Sequence, residues 1–130
     1  MKTHEEYMEL ALEEARKAEE IDEVPVGCVI VCDGEVISRG HNLKEQLNQA
    51  YAHAEMMAIQ KAAEIKGNWC LNDCDLYVTL EPCMMCTGII NLSRIRTVYY
   101  GTTDPKGGCL ETVIDLKKIN RLNHYPNIVG

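Results

Sequence analysis

Two short stretches constrain this chain more than anything else in it: His53-Ala54-Glu55 and, downstream, Pro82-Cys83-Met84-Met85-Cys86. Together they read H-x-E and P-C-x-x-C. His53, Cys83 and Cys86 suit one zinc ion, so a fold that uses both motifs must bring residues some thirty positions apart to one point. Three protein ligands leave the fourth tetrahedral position open, the pattern of a catalytic rather than a structural zinc. Glu55 is then free to move protons. Each half alone is weak. One His beside one Glu is usually incidental, and C-x-x-C also serves redox pairs and structural zinc. The union, with each half opening a helix, is far more specific.

The donor set indicates a chemistry. Two thiolates and a neutral imidazole balance the charge of Zn²⁺, and the ion activates a water near neutral pH. A carboxylate that accepts and returns protons works best with its pKa raised by a dry pocket. That assigns Glu55 as the catalytic acid–base and the reaction as hydrolytic deamination of a nucleobase, whose signature is H-x-E with P-C-x-x-C.

Size and composition narrow the setting. A chain of 130 residues, 46% hydrophobic, is expected to form a single zinc-dependent deaminase domain over 1–130. It has no apolar run of membrane-spanning length and no signal peptide, so no membrane partner is expected. Seven cysteines, an odd number without an export signal, point to reduced thiols and a cytoplasmic location. Cys28, Cys32, Cys70, Cys74 and Cys109 read as small core hydrophobes; a second metal site from Cys28/Cys32 or Cys70/Cys74 lacks a convincing set of partners. The net charge of −7 argues against a chain that grips nucleic acid over its whole surface. Residues 1–24 carry −6, residues 25–93 carry −4 and residues 94–130 carry +3, so a nucleic-acid footprint should involve Arg94, Arg96, Lys106, Lys117, Lys118 and Arg121.

Local patterns order the elements. Residues 4–20 place Tyr7, Met8, Ala11, Leu12, Ala15 and Ala18 at helical spacing, with Thr3 and Glu6 as a capping box. Cys28-Val29-Ile30-Val31 reads as a buried strand, Asp33-Gly34 as a hairpin turn and Val36-Ile37-Ser38 as the returning strand. A polar loop from His41 to Ala52 contains Asn42, equally suited to reading a base and to a local cap. A helix over 53–66 ends at Gly67-Asn68, a strand covers 75–80, and a second helix starts near Cys83. Its N-terminus favours ionised thiolates. A strand over 96–100 implies a parallel crossover. A helix over 110–119 and a short strand over 125–129 complete the chain.

With these motifs in view, the chain resembles the cytidine deaminase superfamily, and within it the bacterial tRNA-specific adenosine deaminases, the TadA family. The resemblance runs nearly end to end. It includes Val24-Pro25-Val26-Gly27, Ala52-His53-Ala54-Glu55, Leu76-Tyr77-Val78-Thr79-Leu80-Glu81-Pro82-Cys83, Ser93-Arg94-Ile95, Asp104-Pro105-Lys106-Gly107-Gly108 and Leu122-Asn123-His124. It implies an α/β fold, a three-layer α/β/α arrangement around a mixed, mostly parallel five-stranded sheet. It implies a homodimer with one zinc per subunit, acting on adenosine at the wobble position of a tRNA anticodon stem-loop with the target nucleotide flipped into the pocket. On the same resemblance Asn42 contacts the base, Val26 forms pocket wall, and Asp104 and Lys106 contact neighbouring nucleotides. Family members usually continue past the position of Gly130 into a helix bearing aromatic and basic residues near the RNA.

Two other readings remain. The same zinc and glutamate serve deaminases of free bases or nucleosides such as guanine, cytosine or cytidine, which the −7 charge favours. A non-catalytic, zinc-stabilised interaction protein would need a fourth protein ligand and leaves Glu55 without a purpose.

Overall fold

The chain forms α1 (His4–Glu20), β1 (Gly27–Cys32), β2 (Glu35–His41), α2 (Lys44–Leu47), α3 (Ala54–Lys66), β3 (Cys74–Leu80), α4 (Met84–Leu92), β4 (Thr97–Thr102), a 3₁₀ turn (Leu116–Lys118) and β5 (Asn127–Val129). A computed structural model describes residues 2–130. The capping box is present: Thr3 Oγ1 accepts from Glu6 N–H, and Glu6 accepts from Thr3 N–H. Asp33 and Gly34 have φ of 51° and 78°, the paired positive values of a type I′ hairpin turn between β1 and β2. Gly67 closes α3 in the left-handed region, as the Gly-Asn pair predicts.

The strands lie in the order β2-β1-β3-β4-β5. β1 is antiparallel to both β2 and β3, while β3–β4 and β4–β5 are parallel. Four of the five strands therefore point one way, and β1 alone runs against them. Every residue of β1 is buried, because strands flank it and helices cover both of its faces. Side chains alternate between those faces. Val29, Val31 and Tyr77 pack with Tyr7 and Ala11 of α1 on one side. Cys28, Ile30, Leu76 and Val78 pack with Ala54, Ala58, Ala62 and Ile90 of α3 and α4 on the other.

Small residues set how closely the helices approach. Ala11 and Ala15 of α1 lie over Gly27, where a Cβ would meet Ala11 O at 1.9 Å. On the opposite face Ala54 and Ala58 of α3 lie over Gly40, where a Cβ would meet Ala54 O at 2.5 Å and Ala58 N at 2.7 Å. No side chain fits at Gly40 without pushing the first turn of α3 off the sheet.

Two expectations need correction. The polar loop before His53 contains the one-turn helix α2. Residues 110–119 form turns and a single 3₁₀ turn rather than a helix, because the N–H groups of Leu110, Glu111 and Thr112 all bond to the Glu81 carboxylate and the chain curls around it. Among the described residues no helix is long and apolar enough to cross a membrane.

Gly40→Ala is expected to lower stability by about 1–3 kcal/mol through overpacking against α3. The urea midpoint reports it; an unchanged midpoint would show that α3 does not depend on this close approach.

Candidate metal centre and active site

β2 and β3 point the same way, and the chain leaves each of them for a helix on the same face of the sheet. α3 and α4 therefore both begin at one edge, beyond the ends of these strands, where α/β sheets place their ligands. His53 and Cys83 are the residues immediately before the two helices, in extended conformation with φ of −80° and −74°. Neither side chain caps its own helix. Both are free to point outward and meet.

His53 Nδ1 lies 3.6 Å from Cys83 Sγ and 3.6 Å from Cys86 Sγ. The three donor atoms all lie within 4.8 Å of one another. A tetrahedral zinc with Zn–N near 2.05 Å and Zn–S near 2.3 Å separates nitrogen from sulfur by about 3.6 Å. The spacing and the soft donor chemistry both fit one zinc ion, in agreement with the sequence reading.

The electrostatics favour a cation there. Cys83 is drawn down to about 5, first by the Cys86 thiol donating to it, then by the N–H groups of Cys86 and Met85 and by His53, which outweigh burial. Cys86 is pushed far up by that same shared proton and by burial. Without a cation the pair keeps one proton; a metal replaces it. Glu55, in the first turn of α3, is 3% exposed, and burial raises its carboxyl to about 7, with the Cys83 charge adding to the rise.

These groups share a cavity of about 200 Å³ lined by Val24, Val26, Asn42, Lys44, His53, Ala54, Glu55, Leu80, Glu81, Cys83 and Asp104. Val26, Asn42 and Asp104 thus join His53, Glu55 and Cys83, while Cys86 lies buried behind them. Lys106 does not line the cavity. It is exposed, and its N–H donates to Asp104 Oδ1 at 3.0 Å. Of the two uses the sequence left open for Asn42, the structure shows the local one. Its Oδ1 accepts from Lys44 N–H at 3.2 Å where the chain enters α2.

Sequence reasoning missed Lys44 and Glu81. Glu81 is 2% exposed. It accepts from the N–H groups of Asp104 (3.3 Å), Leu110 (3.1 Å), Glu111 (2.8 Å) and Thr112 (3.0 Å), and from the Thr112 hydroxyl. One carboxylate thereby fixes the 104–112 loop that brings Asp104 to the cavity. Gly108 crosses so near that a Cβ there would lie 2.5 Å from Glu81 Cδ. The acidic residue before Pro82-Cys83 carries no local mark of this role, since its partners lie more than twenty residues away. Glu81→Gln sets an amide N–H against those donors. It is expected to cost about 2 kcal/mol, to raise KM through the loosened Asp104 loop, and to leave zinc content unchanged. Unaltered urea midpoint and KM would show that the loop holds its shape without this carboxylate.

Comparison with known proteins gives matches of three kinds. Residues 1–102 match the family described as the cytidine and deoxycytidylate deaminase zinc-binding region. The chain is 49% identical over 124 residues to the tRNA-specific adenosine deaminase of Bacillus subtilis (strain 168), covering 95% of this chain and 77% of that one. A solved structure from work on A-to-I editing by tRNA:A34 deaminases at the wobble position of transfer RNA superposes with a TM-score of 0.93 and 48% identity, covering 96% of both chains. Guanine deaminase from Bacillus subtilis superposes with a TM-score of 0.76 and 30% identity, over 92% of this chain and 87% of that one.

Proposed function

The chain belongs to the cytidine and deoxycytidylate deaminase zinc-binding family, at about half identity to tRNA-specific adenosine deaminases, and on that premise we propose that it converts adenosine to inosine at the wobble position of a tRNA anticodon stem-loop. The observation that carries the reading is a buried carboxylate, Glu55, lining one cavity with His53 and Cys83, which together with Cys86 behind them form three donors at tetrahedral zinc spacing.

His53, Cys83 and Cys86 would hold the zinc, which when bound supplies a nucleophilic water at neutral pH. The reaction adds water to the amine-bearing carbon of the adenine ring and releases ammonia. Glu55 takes a proton from the attacking water. It delivers that proton to the ring nitrogen, then takes the proton of the newly added hydroxyl and passes it to the departing amine. A carboxyl held near neutrality by burial can do both within one turnover. Asn42 Nδ2 faces the base, and Val26 packs on its plane. Asp104, on the loop fixed by Glu81, meets the nucleotides beside the target, and the exposed Lys106 lies next to their phosphates. Lys44, at the cavity wall, adds a positive charge for the backbone of a flipped nucleotide.

The likeness to guanine deaminase supports a second reading, turnover of a free base, since the same donors and carboxylate serve it. Substrate choice separates the two. Incubation of the zinc-loaded protein with an adenosine-bearing anticodon stem-loop, free adenosine, cytidine, cytosine and guanine is expected to give inosine in the stem-loop alone. Turnover of a free base or nucleoside with an untouched stem-loop would select the second reading. Glu55→Gln is expected to retain zinc and lose at least about a hundredfold in kcat; full activity at full metal content would remove Glu55 from the mechanism.

We also propose a homodimer. Support comes from α4, where Met84 is 69% and Leu92 64% exposed beside an apolar cavity of about 240 Å³ lined by Ile114, Leu116 and Ile119. Asn91 Oδ1, at the same surface, is buried without a hydrogen-bond partner. An odd number of cysteines, seven, with two of them assigned to zinc, supports a reducing, cytoplasmic setting.

A further inference from the structure

A second cluster of reactive side chains lies at the far end of α3 from the metal centre. Cys32 ends β1 and Cys74 begins β3, and the two face each other across the antiparallel pair. Cys74 N–H donates to Leu71 O at 3.0 Å, and Cys74 O accepts from Arg96 N–H at 2.9 Å, so its backbone groups point away from β1. Cys32 and Cys74 are thus a non-hydrogen-bonded pair, in which facing side chains come closest and Cα atoms lie about 4.5 Å apart. That spacing falls inside the range a disulfide accepts. Their sulfur atoms and an Asp73 carboxylate oxygen all lie within 4.8 Å of one another.

Asp73 bridges the two thiols. Cys32 Sγ donates to Asp73 Oδ2 at 3.3 Å, and Cys74 Sγ donates to Asp73 Oδ1 at 3.5 Å. Lys66, the last residue of α3, places its ammonium against Asp73 and 3.4 Å from Cys32 Sγ. Cys74 is fully buried and Cys32 is 9% exposed, whereas the Asp73 side chain is 43% exposed and opens the cluster to solvent. Burial and the Asp73 carboxylate push both thiols up, Cys74 to about 12, and the Lys66 ammonium beside Cys32 acts the other way, so it is the neighbour that favours a Cys32 thiolate. The same three donors suit a soft metal ion, but the Lys66 ammonium already balances their charge and occupies the approach.

We propose that Cys32 and Cys74 form a second reactive site, a dithiol that a hydroperoxide oxidises reversibly to a cross-strand disulfide, with Asp73 as proton acceptor and Lys66 as counter-charge. Asp73 accepts the Cys32 proton, and the thiolate attacks the peroxide O–O bond. The departing alkoxide takes that proton and leaves as an alcohol, giving a Cys32 sulfenic acid. Cys74 sulfur then attacks Cys32 sulfur, and hydroxide leaves with the Cys74 proton as water. In sum, two thiols and one hydroperoxide yield one disulfide, one alcohol and one water, a two-electron oxidation that a dithiol reductant reverses. The bond joins strands that are distant in sequence, so the oxidised form melts at a higher temperature.

The test uses the full-length, zinc-loaded protein treated with hydrogen peroxide, followed by a non-reducing peptide map, a thiol count and a zinc assay. The expected result is a Cys32–Cys74 cross-link, loss of two thiols, unchanged zinc content, and recovery with dithiothreitol. Lys66→Gln should slow cross-linking several-fold. Cys74→Ala should stop the reaction at a Cys32 sulfenic acid that dimedone traps, and if that variant does not fold, the map of the native chain decides alone. Free Cys32 and Cys74 under conditions that oxidise Cys70 would overturn the proposal. So would binding of a second zinc equivalent that Cys32→Ser abolishes, which would reassign the cluster as a metal site.

Discussion

The convergence of two helix N-termini at one edge of the sheet is the constraint on which the rest of the site depends. His53 and Cys83 each occupy the position before a helix, where a Ser, Thr or Asp would ordinarily turn back to cap the backbone. Here neither side chain makes such a hydrogen bond, and both reach the metal centre. The uncapped N–H groups of Met85 and Cys86 are directed at the Cys83 sulfur and help hold it as a thiolate. The local cost of two poorly capped helices is thus offset at the point where a cation binds. Convergence in turn requires that α3 and α4 share a face and approach the sheet closely, which is why Gly40 lies under Ala54 and Ala58.

A second organising interaction sits beside the first. Glu81 takes five hydrogen bonds from residues 104–112 and ties that loop to the end of β3, two residues before Cys83. Cys83 and the anchor of the 104–112 loop are therefore mounted on the same short stretch of backbone. Burial beside the cavity they enclose raises the Glu55 carboxyl to about 7, while Asn42 and Asp104 stand at its wall. In the proposed reaction, proton transfer and recognition come from different elements, α3 for the first and the flanking loops for the second.

Most of this was legible in the sequence because its causes are local. The capping box at Thr3, the Asp33-Gly34 turn, the Gly67 stop and the spacing of Cys83 and Cys86 are each written within a few residues. What escaped depends on distant partners. Residues 110–119 have helical patterning, yet three of their N–H groups bond to a carboxylate some thirty positions earlier. Lys44 reaches the cavity only because α2 interrupts a stretch that reads as open loop. The pairing of Cys32 with Cys74 needs the register of β1 on β3, and neither cysteine announces it; the sequence offered Cys28/Cys32 and Cys70/Cys74 instead.

In the proposed site one ion is held by one imidazole and two thiolates, with its fourth position open. X-ray absorption at the zinc edge on the purified protein measures that donor set directly. One nitrogen and two sulfurs from the protein, with one further light-atom donor from solvent, is the expected shell. A shell of three or four sulfurs would contradict it, because a fourth protein ligand closes the position that hydrolysis requires.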